Sequence, residues 1–328
     1  MTSGTVASRP DFVHELFLHT STAELLEFVV AFALDGAAAG EPTLLAVRPE
    51  TAAAVREAVT PRSQVTILPV IGRPGRPASD LASTDALLAH YAQQAPRVRV
   101  LNQEPTVPPT HWHEWRRLEA AVNVALTRHP AWGVCVYDRQ TLTDAQIEDL
   151  YATHPVVRDN DQDLPNDRYQ DPARFAAHRD APPDLVEQTV PAVDLLDPSP
   201  AAARAAVARG AKHSLLPAEE INELVFTTSE AVLNAIRHGR PPVVLRLWTQ
   251  PERVTVTVTD TGTGPTDPFV GLLPPGHPEL RSGEPGLGLW ISHQFVDVTH
   301  RRHPGGYTIR LTATHARKLE HDRASDPR

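Results

Sequence analysis

Sulfur is nearly absent from this chain: 328 residues contain one Cys, Cys135, and one Met. A single cysteine excludes an intramolecular disulfide framework and a zinc site built on cysteines. It fits a reducing, cytoplasmic compartment. Positive charge is also short, with 31 Lys+Arg against 40 Asp+Glu, a formal net charge of −9. Affinity for phosphate backbones comes from clustered Lys and Arg, so no direct nucleic-acid partner is expected. Long hydrophobic runs are missing as well. The longest, Leu25 to Leu34, is interrupted by Glu27 and falls far short of the roughly 20 residues a membrane span needs. The first ten residues lack the basic start and apolar stretch of a secretory signal. These absences predict a soluble protein with no membrane partner.

The length predicts two domains at roughly 100–200 residues each. Proline and aspartate mark the seam. Residues 159–200 hold 7 Pro and 10 acidic residues against 3 Arg, with few apolar residues at regular spacing. Such a segment buries too little surface to offset its ordering entropy and reads as an acidic, solvated linker. The alternative is that part of it, around Tyr169 to Phe175, docks along a domain surface. The expected organisation is a sensory domain over 12–158, the linker over 159–200, a second domain over 201–315 and a tail over 316–328.

Before the linker, strand-like and helix-like runs alternate. Strands are expected at 15–19, 43–48, 64–69, 97–102 and 131–138, and helices at 22–36, 51–59, 80–94, 109–128 and 143–153, the last N-capped by Thr143. Alternation of this kind predicts an α/β domain with a parallel sheet covered by helices on both faces. After the linker the order changes. Two helices (200–210 and 217–238) precede strands at 243–248 and 253–260, a loop-rich stretch, a helix from 288 to about 296, and strands at 298–303 and 307–312. The expectation is an α+β sandwich with helices on one face of a mixed sheet.

Three patterns in this second half carry chemistry. On the helix 217–238, Glu230 and Asn234 are four apart and lie one turn above the other, roughly opposite an arc of Ile221, Leu224, Val225, Thr228, Val232 and Ala235, with Glu223 and Thr227 alongside. A Glu and an Asn on a helix face are more often simply solvated. The strand 253–260 alternates Val with Thr and ends in Asp260-Thr261-Gly262-Thr263-Gly264. An Asp there accepts a hydrogen bond from a ligand amine where glycines let backbone come close, although Asp and Gly are also the commonest turn residues. Finally, Gly286-Leu287-Gly288 opens a helix, whose free N–H groups suit an anion.

The order E-x-x-x-N on a helix, D-x-G-x-G after a strand, then G-x-G opening a helix resembles the Bergerat ATP-binding fold of gyrases, ninety-kilodalton heat-shock chaperones, MutL-type proteins and histidine kinases. The run from Ser229 to Gly239 is most similar to the anti-sigma-factor serine kinases. The resemblance implies that Asn234 helps hold Mg²⁺ on ATP, that Asp260 reads the adenine amino group, and that Gly262, Gly264, Gly286 and Gly288 shape the pocket and its lid. It makes Glu230 the catalytic general base. Two departures stand out. Gly306 is followed by Tyr307 where the family often has Thr, and the lid, 265–285, is Pro-rich with Arg281 its only basic residue besides His277. A histidine kinase would need a phosphoacceptor on a hairpin upstream. His213 lies only 21 residues before Asn234, so a helix-end or loop histidine is the better reading.

Residues 12–158 resemble the MEDS sensory domain, through His14-Glu15-Leu16-Phe17, Gly40 to Val47, Val136-Tyr137-Asp138-Arg139 and Thr153-His154-Pro155. The resemblance implies a P-loop-ATPase-like sheet that has lost its phosphate loop. Where G-x-x-x-x-G-K-[ST] would lie, the chain reads Thr20-Ser21-Thr22-Ala23-Glu24, without Gly or Lys. Asp138 then becomes a turn- or helix-capping residue. His111 and His113, two apart on a helix, cannot share one ion, and Cys135 reads as a small buried hydrophobe.

Together the resemblances imply a cytoplasmic anti-sigma-factor-type regulator. Its sensory domain would receive an unknown signal. Its Mg·ATP-dependent serine/threonine kinase domain would engage a sigma factor, an anti-anti-sigma antagonist, or both, and the family resemblance implies a homodimer. An ATP-dependent partner-binding clamp without kinase activity is the alternative; a sensor histidine kinase is the third.

Overall fold

A computed structural model describes residues 12–59, 64–68, 76–159, 162–177, 180–274, 277 and 286–315. The chain forms two compact units, one of residues 1–179 with 267–286, the other of 180–266 with 287–328. Among the described residues no helix is long and apolar enough to cross a membrane.

The first unit is built on β1 (Phe12–His19), α1 (Thr22–Ala39), β2 (Thr43–Ala46), α2 (Pro49–Ala58), β3 (Val65–Leu68), α3 (Pro77–Tyr91), β4 (Val98–Gln103), α4 (Trp112–Ala125), β5 (Ala131–Asp138), α5 (Asp144–Thr153), β6 (Val156–Asp159), β7 (Gln162–Pro165) and α6 (Pro172–Ala177). The sheet order is β3-β2-β4-β5-β1-β6-β7, parallel except for the β6–β7 hairpin at one edge. Central strands carry apolar residues on both faces, as strands covered on both sides must. One buried cluster gathers Leu16, Leu44, Trp115 and Leu150, and another Phe17, Val29, Leu45 and Val136. Thr143 caps α5 as expected, and Gln146 completes a capping box.

The acidic segment is not a solvated tether. Its first part adds β7 to the sheet and α6 to the first unit, with Phe175 3 % exposed. Its second part belongs to the other unit, where it forms β8 (Val193–Leu196) and a strap across one sheet face.

That second unit continues with α7 (Pro200–Ala211), α8 (Ala218–His238), β9 (Val244–Gln250), β10 (Arg253–Asp260), α9 (Leu287–Phe295), β11 (Asp297–His303) and β12 (Gly306–Thr314). The sheet order is β11-β12-β10-β9-β8. Every neighbouring pair is antiparallel, so the sheet is not mixed as the sequence suggested. Val254, Val256 and Val258 face one side with Leu245, Leu247 and Leu311, all almost fully buried. Gly210 of α7 lies against Leu247, which identifies this as the helix side.

The other face presents Thr255, Thr257, Arg301 and Arg310 and needs a polar cover. Residues 180–192 supply it. Glu187 accepts from Arg301 (2.7 Å) and Arg310 (2.8 Å), Asp184 pairs with Arg253 (2.5 Å), and Pro182 O accepts from Arg310 (3.1 Å). Trp248 Nε1 donates to Thr189 O at 3.1 Å. Some of the surplus acids that suggested a linker, Asp184 and Glu187 among them, are therefore the counter-charges of this unit's arginines. Periodicity could not show it, because the arginines lie more than 60 residues further along the chain.

A second departure concerns the loop expected to be a lid. Phe269, Leu272 and Leu273 belong to the same buried cluster as Trp115, Leu118 and Leu126. Arg117 Nη2 donates to Pro268 O at 2.8 Å, and the His277 ring lies 3.3 Å from Ala125 O. This stretch is part of the core of the first unit. It explains why α4, with Glu114, Arg116 and Arg117 in its sequence, is buried nearly all round.

Candidate functional site

Helix α8 carries the first of the sequence-predicted residues. Its last turn holds Arg237 and His238, which complement the helix dipole, and its first turn holds Glu219 and Glu220. Glu230 and Asn234 are both half-buried, one turn apart. The face beside them is more enclosed than the sequence arc implied. Thr227, placed alongside Glu230 from the helical wheel, is fully buried, and its Oγ1 donates to Leu224 O at 3.1 Å. The reason is that α8 is flanked by both α7 and α9. Arg204 of α7 donates to Ser229 Oγ at 2.8 Å, and Phe226 meets Phe295 of α9 edge-on at 6.2 Å. A β-carbon on Gly288, in the first turn of α9, would come within 2.4 Å of Glu230 Oε2. The carboxylate of Glu230 thus lies directly over the backbone of Gly288, and only a residue without a side chain allows this.

Asp260 ends β10 on the helix side of the sheet, 5 % exposed. Its Oδ1 accepts from Gly262 N at 2.6 Å and from Arg240 N at 3.1 Å, so one oxygen fixes the carboxylate while Oδ2 carries no hydrogen bond among the described residues. Three backbone segments crowd it. β-Carbons on Gly239 and Gly262 would lie 2.5 Å from Asp260 Cγ and 2.7 Å from its Oδ1, and Gly306, with φ 132°, sits against Asp260 O. Gly264 has φ 71°, and Tyr307 packs on it so closely that a β-carbon would lie 2.4 Å from the ring. A left-handed backbone under an aromatic ring is a position for glycine alone.

Tyr307 is the register partner of Asp260, and Thr308 that of Thr259. Side chains alternate along a strand, so Tyr307 shares the face of Asp260 while Thr308 turns away, its Oγ1 2.8 Å from Thr259 Oγ1. The Tyr307 hydroxyl meets His300 Nδ1, and His300 in turn lies 3.3 Å from His293 of α9. Tyr307 therefore occupies the place beside Asp260 where the resemblance leads one to look for Thr.

The structure brings Asp260, Gly262 and Gly264 together, and it brings Glu230 to Gly288. Gly286 falls with the first unit, near Val270. Arg281 lies outside the described residues. Gly239, Gly306 and the Arg240 amide are site residues that motif spacing alone passed over. Gly239 ends the Ser229–Gly239 run, and that was the available signal. His213 lies in the exposed turn between α7 and α8, as expected of a loop histidine.

In the first unit, Asp138 accepts from Gln140 N at 2.9 Å and caps the short helical turn Arg139–Thr141. Where a phosphate loop would open α1, Ser21 Oγ accepts from Glu24 N (3.2 Å) and Glu24 Oε2 from Thr20 N (2.8 Å). That backbone bond holds the Glu24 carboxyl below its ordinary range. His111 and His113 are half-buried, with Thr110 Oγ1 3.2 Å from one ring and Arg116 Nη2 3.1 Å from the other. Cys135 is not the plain hydrophobe its strand suggested: it is half-buried, and its Sγ lies 3.3 Å from His14 Nε2.

Comparison with known families also finds two domains, although the second match runs through residues 267–286, which pack with the first unit. Residues 196–313 match the model of the histidine kinase-like ATPase domain, and residues 13–155 match MEDS, the methanogen/methylotroph, DcmR sensory domain. No curated protein matches the chain. The antiparallel sheet with helices on one side and the glycine-enclosed Asp260 fit a Bergerat fold, and the chain joins an N-terminal MEDS sensory domain to a C-terminal histidine kinase-like ATPase domain.

Proposed function

We propose that this protein is an ATP-dependent signalling regulator whose second unit is a serine/threonine protein kinase of the anti-sigma-factor type. The observation that carries the reading is Asp260: a nearly buried carboxylate with one oxygen tied to backbone amides, the other without a hydrogen bond among the described residues, and glycine backbone on three sides. That geometry suits a planar ligand presenting an amine, as adenine does, and the cradle would close if any of these glycines carried a side chain. Asn234 would hold Mg²⁺, which neutralises charge on the triphosphate when bound. Glu230, one turn away over Gly288, would accept the proton of an attacking serine or threonine hydroxyl. The first unit would receive the signal, and the partners would be a sigma factor and its antagonist.

A second reading, an ATP-dependent clamp that binds a partner without transferring phosphate, has its own support. The 267–273 stretch lies in sequence between the two glycine motifs yet is packed into the core of the sensory unit, an unusual anchor for a lid that must close on ATP.

The test is ATP affinity by calorimetry with and without Mg²⁺. Asp260→Asn keeps Oδ1 for the amides and removes the charge, so affinity should fall about 10- to 100-fold, the loss of a charge-assisted hydrogen bond of about 1.5–3 kcal/mol. Unchanged affinity overturns the pocket assignment. Glu230→Ala should bind ATP and lose transfer to the antagonist. Wild type that binds a sigma factor only with ATP and never transfers phosphate leaves the clamp.

A further inference from the structure

Four polar side chains far apart in sequence converge inside the first unit: His14 of β1, Glu119 of α4, Cys135 of β5 and His154 at the end of α5. One donor atom from each lies within 4.8 Å of all the others. His14 Nε2 is 3.3 Å from Cys135 Sγ and 3.5 Å from Glu119 Oε2. His154 Nε2 is 3.4 Å and Cys135 Sγ 3.8 Å from the same oxygen. A tetrahedral ion with bonds of about 2.0–2.3 Å has ligand–ligand edges of about 3.3–3.8 Å. Four of the six edges already stand at those separations, and the other two are within 4.8 Å.

Their surroundings fix which atoms face inward. Asn123 Nδ2 donates to Glu119 O (3.0 Å) and Thr153 O (2.7 Å), which turns its Oδ1 to His14 Nδ1 at 3.2 Å. Leu150 O lies 2.8 Å from His154 Nδ1. Carbonyl oxygens only accept, so each Nδ1 carries the proton and each Nε2 offers a lone pair to the centre, the outer-shell arrangement of metal-binding imidazoles. Glu119 is oriented too: its Oε1 accepts from the Tyr137 hydroxyl, which accepts from Trp115 Nε1 at 2.7 Å. His154 Nε2 is fully buried and makes no hydrogen bond among the described residues. Two imidazole lone pairs and a carboxylate oxygen pointing at one another repel unless something positive lies between them. Protons on the thiol and the carboxyl would relieve that repulsion, and so would one cation at the centre.

We propose that His14, Glu119, Cys135 and His154 bind one divalent transition-metal ion, with zinc the best match. Two nitrogens, one sulfur and one oxygen form a four-coordinate set for a borderline-soft ion and a poor one for calcium or magnesium, which demand oxygen. Charge balances as well: two neutral imidazoles, a carboxylate and a thiolate sum to −2 against +2. A cavity of about 90 Å³, mostly apolar, is lined by His14, Glu119 and Cys135 together with Glu104.

The experiment uses the full chain, stripped with chelator and titrated with Co²⁺. Cys135 is the only cysteine, so a thiolate-to-cobalt charge-transfer band reports this site alone, whatever the other histidines bind. One Co²⁺ per chain is expected, with tetrahedral visible bands plus that charge-transfer band, both displaced by Zn²⁺. Cys135→Ser should lose the charge-transfer band while circular dichroism stays unchanged. His154→Gln should weaken cobalt binding at least about tenfold. Zn²⁺ should also protect wild-type Cys135 from alkylation, a readout that needs no variant. Cobalt uptake without the thiolate band, or Cys135 alkylated equally fast with and without Zn²⁺, overturns the site.

Discussion

Leu272 lies between the two glycine motifs, where the family resemblance puts a solvent-facing lid, yet it is fully buried in a cluster with Trp115, Leu118 and Leu126. Leu272→Ala separates the two placements by energy. The substitution removes three carbon groups at about 0.8 kcal/mol each, roughly 2.4 kcal/mol of lost burial. A cavity that only partly relaxes adds about 1 kcal/mol, for a total near 3 kcal/mol. The same substitution in an exposed loop costs within about 0.5 kcal/mol. Urea unfolding followed by tryptophan fluorescence is the assay, since Trp112 and Trp115 lie in the affected unit. With a slope of about 2 kcal/mol per molar, the midpoint should fall by about 1.5 M. Amide exchange along α4 should accelerate in parallel. A midpoint shift under about 0.3 M would refute the packing of 267–273 into the first unit.

Other outcomes follow from single contacts. Burial alone would raise the Asp184 carboxyl, but Arg253 and the Val186 amide outweigh it and hold the group below its ordinary value of 3.8. A depressed acid stabilises the fold above its unfolded value and loses that contribution as pH falls through the folded one. Wild type should therefore exceed Asp184→Asn in thermal midpoint at about pH 6, with the gap closing towards about pH 3; a gap independent of pH removes the ion pair as its cause. Gly288→Ala should keep the fold, because the obstructing atom is the free end of Glu230, while phosphate transfer falls at least about tenfold as that carboxylate is displaced. Transfer at the wild-type rate would detach the position of Glu230 from the chemistry. Gly306→Ala meets backbone instead, at 2.0 Å from Asp260 O. It should cost about 3 kcal/mol in urea unfolding, and a cost near zero would contradict the close approach of these strands.

Local pattern carried most of the secondary structure. The alternation in Val254, Val256 and Val258, the capping residue Thr143 and the apolar run of 131–138 are each written in a few consecutive residues, because strand and helix periods repeat every two to four positions. Gly262 and Gly264 beside Asp260 were legible for the same reason: a D-x-G-x-G turn brings its own carboxylate and amides together within three residues.

Contacts across the fold were not legible. Acidic residues at 184 and 187 read as solvating charge until Arg253, Arg301 and Arg310 stand opposite them. The proline-rich stretch after Thr266 read as a loop until its three apolar side chains meet α4. His14, Glu119, Cys135 and His154, spread over 141 positions, carry no common spacing. The sequence by itself determined the two domain types, most of the elements outside 159–200 and the turn that holds Asp260. Tertiary structure alone decided where the acids find their arginines, which unit owns residues 267–273, and that the donor atoms of His14, Glu119, Cys135 and His154 converge. Those pairings depend on distances through space that no local period encodes.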